Sequence, residues 1–376
     1  MNITYARNND VISGVEDLEL LYSIKNFPVF MGTSENSQED DIFIDLNFQI
    51  SKSTGMVQIN PLIDLSIVYL KSHNPGTIGQ IWKKHHEALA DFLLKFDKKK
   101  VLEIGGYSGI LANNCLSKNN EIEWTIIDPH AKHLNDNVKI INSFFDDQYL
   151  DETKYDLVVH SHLIEHVIDV NSFLKNCHSR LNENGYMIFS LPNFELFLNK
   201  RITNSLHFEH TFHIDEYFLS KLFESHGFKI VEKTYYADGY NVFYCVEKTD
   251  PKHTAYDSSK YLEYKNLYLD YFKDIKSFID DFNNSSDYDG VFMFGGHVTS
   301  QFLISLGLDQ NKIKYLLDND PNKQEKRLYG TNLQIKSPSI LKNYDNPVLI
   351  LKNSFFDEEI RKQVLEINES IKILTF

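Results

Sequence analysis

Cysteine is scarce: Cys115, Cys177 and Cys245 are the only three in 376 residues. Their odd number and wide spacing exclude a disulfide framework and a cysteine-built metal site, and fit a reducing compartment. Basic residues also fall short, with 38 Lys and Arg against 53 Asp and Glu, a formal net charge of −15. Such a surface repels phosphate backbones, so no nucleic-acid partner is expected, although a local basic pocket for one phosphate remains compatible with it. No uninterrupted apolar run approaches the ~18–20 residues that span a bilayer. The opening "MNITYARNND" lacks the apolar core of a signal peptide. A cytoplasmic protein with no membrane partner is the expectation. What is present is ordinary for a globular chain, 42% hydrophobic and 24% charged. At 376 residues it is too long for one comfortable core, and two or three domains are expected.

The pattern along the chain gives the division. Residues 1–75 mix short strand-like runs such as "DIFIDLNFQI" with Gly, Asn and Ser punctuation, a small β-rich lobe. Over 76–250, short apolar strands ("KVLEIG", "EWTIID", "YDLVVHS", "GYMIFSLP") alternate with helical spacing ("NSFLKNCHSRL"), which predicts a parallel, helix-covered α/β sheet. "FKIVEKTYY" and "YNVFYCVEK" read as an antiparallel hairpin finishing that sheet. Residues 251–376 open with a tyrosine-rich helical lead-in, its tyrosines assigned to helix packing. They then repeat strand–turn–helix logic on a smaller scale at "GVFMFGGHVTSQFLISLGL" and "KIKYLLD".

The turn after the first central strand carries the chemistry. "VLEIGGYSG" places Gly105, Gly106 and Gly109 where a ligand must approach the backbone, outside the carboxyl end of a strand. The spacing E-x-G-G-x-x-G is neither the dinucleotide fingerprint nor a P-loop, so a pyrophosphate cradle is poorly supported. Glu103 repels a phosphate and attracts an ammonium group. S-adenosylmethionine carries an ammonium and a sulfonium and suits it. Asp128, closing the next strand, can accept from both ribose hydroxyls. The bland alternative for both carboxylates is helix capping or solvent.

As a set, Glu103 to Gly109, Asp128 and "YDLVVHSHLIEHV" resemble the class I SAM-dependent methyltransferases over roughly residues 85–200. The resemblance implies cofactor contacts at Glu103, Gly105, Gly106, Ser108, Asp128, Ser143, Phe144 and His160, with "NSFFDD" near the adenine and His162 near the transferred methyl group. A narrower resemblance lies in the flanks. "EIGGYSG" is similar to the E-I-G-x-N-D-G form of three-part sugar C-methyltransferases that act on nucleotide-linked keto-deoxysugars. Those combine a zinc-bound lobe, a SAM domain and a Rossmann-like C-terminal domain. The order of glycine loop, Asp-x-x-x-x-Lys turn and final strand–helix in 290–376 is similar to that last domain. The implied fold is therefore α/β: a Rossmann-like SAM domain, a small β-rich lobe and a second, smaller Rossmann-like domain.

Two departures matter. Residues 1–100 contain no cysteine, and Ser51 and Ser53 stand about where a C-x-x-C falls in the zinc lobe, so a metal-free lobe is expected. The family's Tyr-x-Glu-His signature, with its histidine as general base, reads "HFEHTFH" here: Glu209 and His210 are kept, and His207 takes the tyrosine position. His210 is the candidate base, with Glu209 fixing its tautomer and His207 in support. The spacings of His207, His210 and His213, and of His162 and His166, also suit a metal. The reading adopted assigns none and places His162 and His166 on a helix beside the cofactor. Gly295, Gly296 and Asp318 fit either a second nucleotide site or a vestigial scaffold. The expected activity is methylation of a small molecule, a nucleotide-activated sugar. C- and O-methyl transfer and the oligomeric state remain open. The competitors are an O-methyltransferase acting on another hydroxylated or phosphorylated metabolite, an NAD-linked oxidoreductase, and a non-catalytic nucleotide-sugar-binding protein of the same fold.

Overall fold

A strand that reads as a near-continuous apolar run belongs where both faces are covered. The computed structural model, which describes residues 3–68, 80–132, 137–146, 152–285, 290–352 and 356–375, places the runs in that way. Among the described residues, three sheets of four or more strands result. The lobe contributes β1 (Leu18–Pro28), β2 (Phe43–Ser51) and β3 (Val57–Ile59). Helix α1 (Gln80–Leu94) leads into a seven-stranded sheet made of β4 (Lys100–Ile104), β5 (Glu123–Ile127), β6 (Val138–Ile141), β7 (Tyr155–Ser161), β8 (Leu181–Pro192) and a later hairpin. Helices α2 (Ile110–Leu116) and α3 (Val170–Arg180) cover its faces. After β8 come α4 (Phe194–Asn199), the two-residue β9 (Phe212–His213), α5 (Glu216–Ser225), and the hairpin β10 (Phe228–Tyr236) and β11 (Asn241–Lys248).

The order of the large sheet is β10-β11-β8-β7-β4-β5-β6. Strands β6 to β8 run parallel, and β11 is antiparallel to both β8 and β10, as the hairpin reading expects. Strand order reverses between β4 and β7, which opens a crevice beyond their carboxyl ends. Leu89, Leu93 and Leu111 bury the sheet's α1–α2 face, and Phe173, Leu174 and Phe223 its other face. Each such side chain contributes about 1.5–3 kcal/mol.

The third part begins with α6 (Ser259–Asn284), which buries Tyr264, Tyr268 and Tyr271 as packing residues. Its parallel sheet combines β12 (Val291–Phe294), β13 (Ile313–Leu317), β14 (Ile335–Lys336), β15 (Val348–Ile350) and β16 (Lys372–Leu374), in the order β14-β13-β12-β15-β16, with α7 (Val298–Ser305) and α8 (Asp357–Ile367) on its faces. This is again a reversal, between β12 and β15.

The lobe is less self-contained than a division at residue 75 suggests. Strand β9 pairs antiparallel with β3, Phe212 opposite Gln58 and His213 opposite Val57, so the lobe's sheet runs β9-β3-β2-β1. Helix α6 lies against it, with Tyr22 stacked on Phe272 at 3.7 Å. Hydroxyls and a carboxylate knit the lobe's turns. Buried Asp10 accepts from Ser13 Oγ at 2.5 Å and Thr54 Oγ1 at 3.0 Å, and Ser51 Oγ accepts from Thr54 N at 3.2 Å. No helix among the described residues is long and apolar enough to cross a membrane.

Candidate active site

The glycine turn is built from below. Gly105 leaves β4 with φ +76°, and its N–H donates to Ile127 O at 2.9 Å. A Cβ on Gly106 would stand 2.7 Å from Glu103 Cδ and 2.9 Å from Ile126 Cγ2, so only glycine fits over the carboxyl. Gly109, with φ +58°, then starts α2. Asp128, at the end of β5, holds the turn from the side: Oδ2 accepts from Tyr107 N at 3.2 Å and Oδ1 from His130 N at 2.7 Å.

Glu103 lies beneath this turn, its Oε2 accepting from Trp124 Nε1 at 2.8 Å. Burial pushes its carboxyl up to about 8; Asp128 adds to the rise and the Trp124 N–H opposes it. A cation brought near the turn draws this acid into its charged form. S-adenosylmethionine therefore fits the residues present: an exposed Gly105 backbone, a glycine-only floor at Gly106, and two carboxyl groups facing a ligand that carries an ammonium and a sulfonium. Ser108 is half-buried on the same turn. Ser143 is half-buried too, and its Oγ donates to Phe144 O at 3.1 Å. Phe144 is 53% exposed, a free aromatic face beyond β6. Asp147, expected near the adenine, lies outside the described residues.

His160 does not reach the crevice. Alternation along β7 puts it on the face of Val158, fully buried, stacked on Phe189 at 5.0 Å and edge-on to Phe173 at 5.4 Å. Its expected place among the cofactor contacts is corrected to a core position. His162 does stand at the crevice mouth, with a left-handed φ of +49°, against Trp82 at 5.0 Å and His85 at 5.3 Å. The segment after it forms no helix that would stack His162 on His166. It is a 3-10 turn over Ile164–His166.

That turn meets the loop carrying His210. The rings of His166 and His210 are 4.7 Å apart and those of His207 and His210 4.3 Å. Glu165, which spacing alone had not singled out, is buried between them. Its carboxylate and ring nitrogens of His166 and His210 all lie within 4.8 Å of one another. Burial, and then His207, His166, His213 and His162, hold the His210 imidazole well below its ordinary range, which keeps it neutral. On the same loop, the Glu209 backbone N–H donates to His207 Nδ1 at 3.2 Å. His213 belongs to another group, stacked on Phe194 and bonded through Nδ1 to Tyr268 OH at 2.5 Å.

The two histidine-bearing segments are clamped by the lobe. Arg7 donates from Nη1 to Thr211 O at 3.2 Å and from Nη2 to Ile168 O at 2.8 Å. Ile59 N adds a further bond to Thr211 O at 3.1 Å, and Thr211 N one to Glu165 O at 3.0 Å. Arg7 went unnoticed in the sequence, where nothing marks an isolated arginine as a clamp.

The C-terminal sheet repeats the turn in detail. Gly295, with φ +109°, donates its N–H to Leu317 O at 2.7 Å, as Gly105 does to Ile127. Gly296 N donates to Asp318 Oδ2 at 2.9 Å and Asp320 N to Asp318 Oδ1 at 2.9 Å, as Tyr107 and His130 do to Asp128. Lys323 closes on Asp318 at 3.0 Å, joining the ends of the Asp-x-x-x-x-Lys turn.

Residues 80–233 match the family profile described as a methyltransferase domain, and residues 245–373 the one described as a C-methyltransferase C-terminal domain. No curated protein matches. Among solved structures the similarity is low. An O-methyltransferase family protein from Burkholderia thailandensis is 9% identical at TM-score 0.39, over 46% of this chain and 57% of its own. Human N-acetylserotonin methyltransferase, in complex with SAM, is 13% identical at TM-score 0.40, over 46% of this chain and 53% of its own. The N-methyltransferase NodS from Bradyrhizobium japonicum is 16% identical at TM-score 0.35, over 46% of this chain and 99% of its own. The chain thus spans little more than half the length of the first two. The glycine turn and the strands that carry it thus lie within the segment that matches a methyltransferase domain.

Proposed function

We propose that the protein methylates the sugar of a nucleotide-linked acceptor, with His210 taking the proton that the methyl group replaces. The repeat of the glycine turn around Asp318 carries this reading. A second glycine turn of this kind, in the section that matches a C-methyltransferase C-terminal domain, suits an acceptor with its own ribose and phosphates.

S-adenosylmethionine, when bound, supplies an electrophilic methyl group. The chain's residues do the rest. Gly105, Gly106 and Ser108 offer backbone and hydroxyl groups to the amino-acid end of the cofactor, Glu103 lends negative charge beneath it, and Asp128 accepts from the ribose hydroxyls. Ser143 and Phe144 border the adenine, and His162 stands toward the methyl group. His210, neutral and buried, removes the proton from a carbon made acidic by a neighbouring ketone, or from a hydroxyl. His207 sits against its ring. Positioning supplies much of the rate, since reacting atoms must be held about 3–3.5 Å apart. The C-methyltransferase match favours carbon as the acceptor atom.

The test is transfer of labelled methyl from S-adenosylmethionine across a panel of dTDP-, UDP- and GDP-linked keto-deoxysugars. Wild type is expected to methylate at least one. His210→Ala is expected to lose turnover while binding S-adenosylhomocysteine with unchanged affinity. Transfer only to acceptors without a nucleotide would replace this reading with that of a small-metabolite O-methyltransferase. Nucleotide-sugar binding without transfer would leave a binding protein.

A further inference from the structure

Glu165 is the most anomalous group in the protein. Only 3% of it is exposed, and neither carboxylate oxygen accepts a hydrogen bond. An isolated buried carboxylate is costly to hold, and such groups are retained where a nearby positive charge answers them. The groups around Glu165 are imidazoles. His162 Nδ1 stands 3.4 Å from its Oε1, and ring nitrogens of His166 and His210 lie within 4.8 Å. His166 Nδ1 and His162 Nε2 are buried without hydrogen-bond partners of their own.

We infer that Glu165 is the positioning residue of the His210 base: its carboxylate, set by the 3-10 turn against His166 and His210, orients that pair and stabilises the proton it receives. This rests on the reading of His210 as proton acceptor, and it adds Glu165 to the role that sequence adjacency gives to Glu209.

The backbone supports the placement. Glu165 O accepts from Thr211 N at 3.0 Å, so the turn and the His210 loop are tied beside the side chains in question. Arg7 bonds both strands of that tie, at Ile168 O and Thr211 O. Charge supports it too. Burial pushes the Glu165 carboxyl up, but the contact with His162 and the nearby His166 outweigh burial and leave it below its ordinary range, hence ionised. The titratable groups facing His210 are His166 and Glu165 on the turn, His162 beyond β7, His207 and Glu209 on its own loop, and His213 on β9. The imidazoles among them oppose a proton on His210. A carboxylate against the His166–His210 pair offsets part of that opposition.

The experiment is a pH titration of the full chain with ¹⁵N-labelled histidine, followed through long-range ¹H–¹⁵N correlations. It compares wild type, Glu165→Gln, Glu165→Asp and Glu209→Gln, with His210→Ala and His166→Ala used for assignment. Removing the charge in Glu165→Gln is expected to lower the His210 or His166 midpoint by about one pH unit or more. Glu209→Gln is expected to shift it less than half as far. Should Glu165→Gln not fold, Glu165→Asp keeps the charge but withdraws it by one methylene, and a drop of about half a unit is expected. With an acceptor from the panel, Glu165→Gln should lower kcat about 30-fold or more, move the acid limb of kcat to lower pH, and leave KM and S-adenosylhomocysteine affinity within about twofold. Unchanged midpoints, the reverse ordering of the two glutamates, or one tightly bound transition metal per chain on Glu165, His166 and His210 would overturn the inference. The midpoints are read without turnover, so a failure of the acceptor panel is a failure of the proposed function and not of this pairing.

Discussion

Trp124 Nε1 donates to Glu103 Oε2 at 2.8 Å, beneath a glycine that admits no side chain. That bond holds a carboxyl group whose proton burial retains to about pH 8, against an ordinary value of 4.5. Between those values the folded chain keeps a proton that the unfolded chain has released. The associated stability is full below about pH 4 and is lost as pH rises through 8. Glu103→Gln keeps an acceptor for the indole and removes the charge. Its Tm is expected to exceed that of wild type at pH 9 and to converge with it near pH 5. The difference is a few kcal/mol at most, at about 1.4 kcal/mol per pH unit of displacement. The same variant should weaken S-adenosylmethionine binding most at pH 9, where wild-type Glu103 is charged. Thermal melts and calorimetric titrations across pH 5–9 check both.

In the lobe, Asp10 accepts from Ser13 Oγ, Thr54 Oγ1 and the Ile12 N–H, so the turns converge on it. Asp10→Ala leaves those buried donors without an acceptor and is expected to cost about 2–4 kcal/mol in urea unfolding. Affinity for S-adenosylhomocysteine should be unchanged, because the glycine turn lies in another sheet. A full equivalent of zinc in the purified wild type, lost in Asp10→Ala, would contradict this account of the lobe.

Arg7 spans the two segments that carry His166 and His210 through their carbonyls. Arg7→Leu should let the imidazoles drift apart and reduce kcat by about 10–100-fold, since misplacement by ~1 Å costs on that order. Cofactor affinity should stay within about twofold. Partial recovery of turnover on adding guanidinium would show that the lost group is the clamp itself.

Asp318 mirrors Asp128, so its loss should affect the acceptor and spare the cofactor. Asp318→Ala is expected to weaken binding of nucleoside diphosphates by about 10–100-fold, the size of one to two charge-assisted hydrogen bonds. S-adenosylhomocysteine should bind as in wild type. Calorimetric titration with dTDP, UDP and GDP checks this. Equal nucleotide affinity in the variant would return Asp318 to a scaffold role.

Much of the architecture is legible in sequence because buried parallel strands announce themselves as short apolar runs between glycine turns, and β4, β5, β7 and β8 all do so. Glu103 and Asp128 are legible for a related reason: each ends or nearly ends such a run, where polarity has no packing purpose. His160 was misplaced because proximity in sequence to the crevice outweighed strand alternation, which sets it beside Val158 on the helix-covered face. The turn at Ile164–His166 resembles a helix in spacing, but the left-handed His162 breaks the run before one can form. Two features had no local signal. Strand β9 joins a sheet whose other strands lie far upstream, and Glu165 meets His210 only because Thr211 is stitched to the lobe. Such pairings are set by tertiary contact, to which residue spacing is blind.

The measurement closest to the central claim is calorimetric titration of the full chain with S-adenosylmethionine, set beside Asp128→Ala. The account predicts one site per chain in wild type, weakened about 100-fold or more when the carboxylate that holds Tyr107 and His130 is removed. No binding to wild type, or equal affinity in the variant, would contradict it.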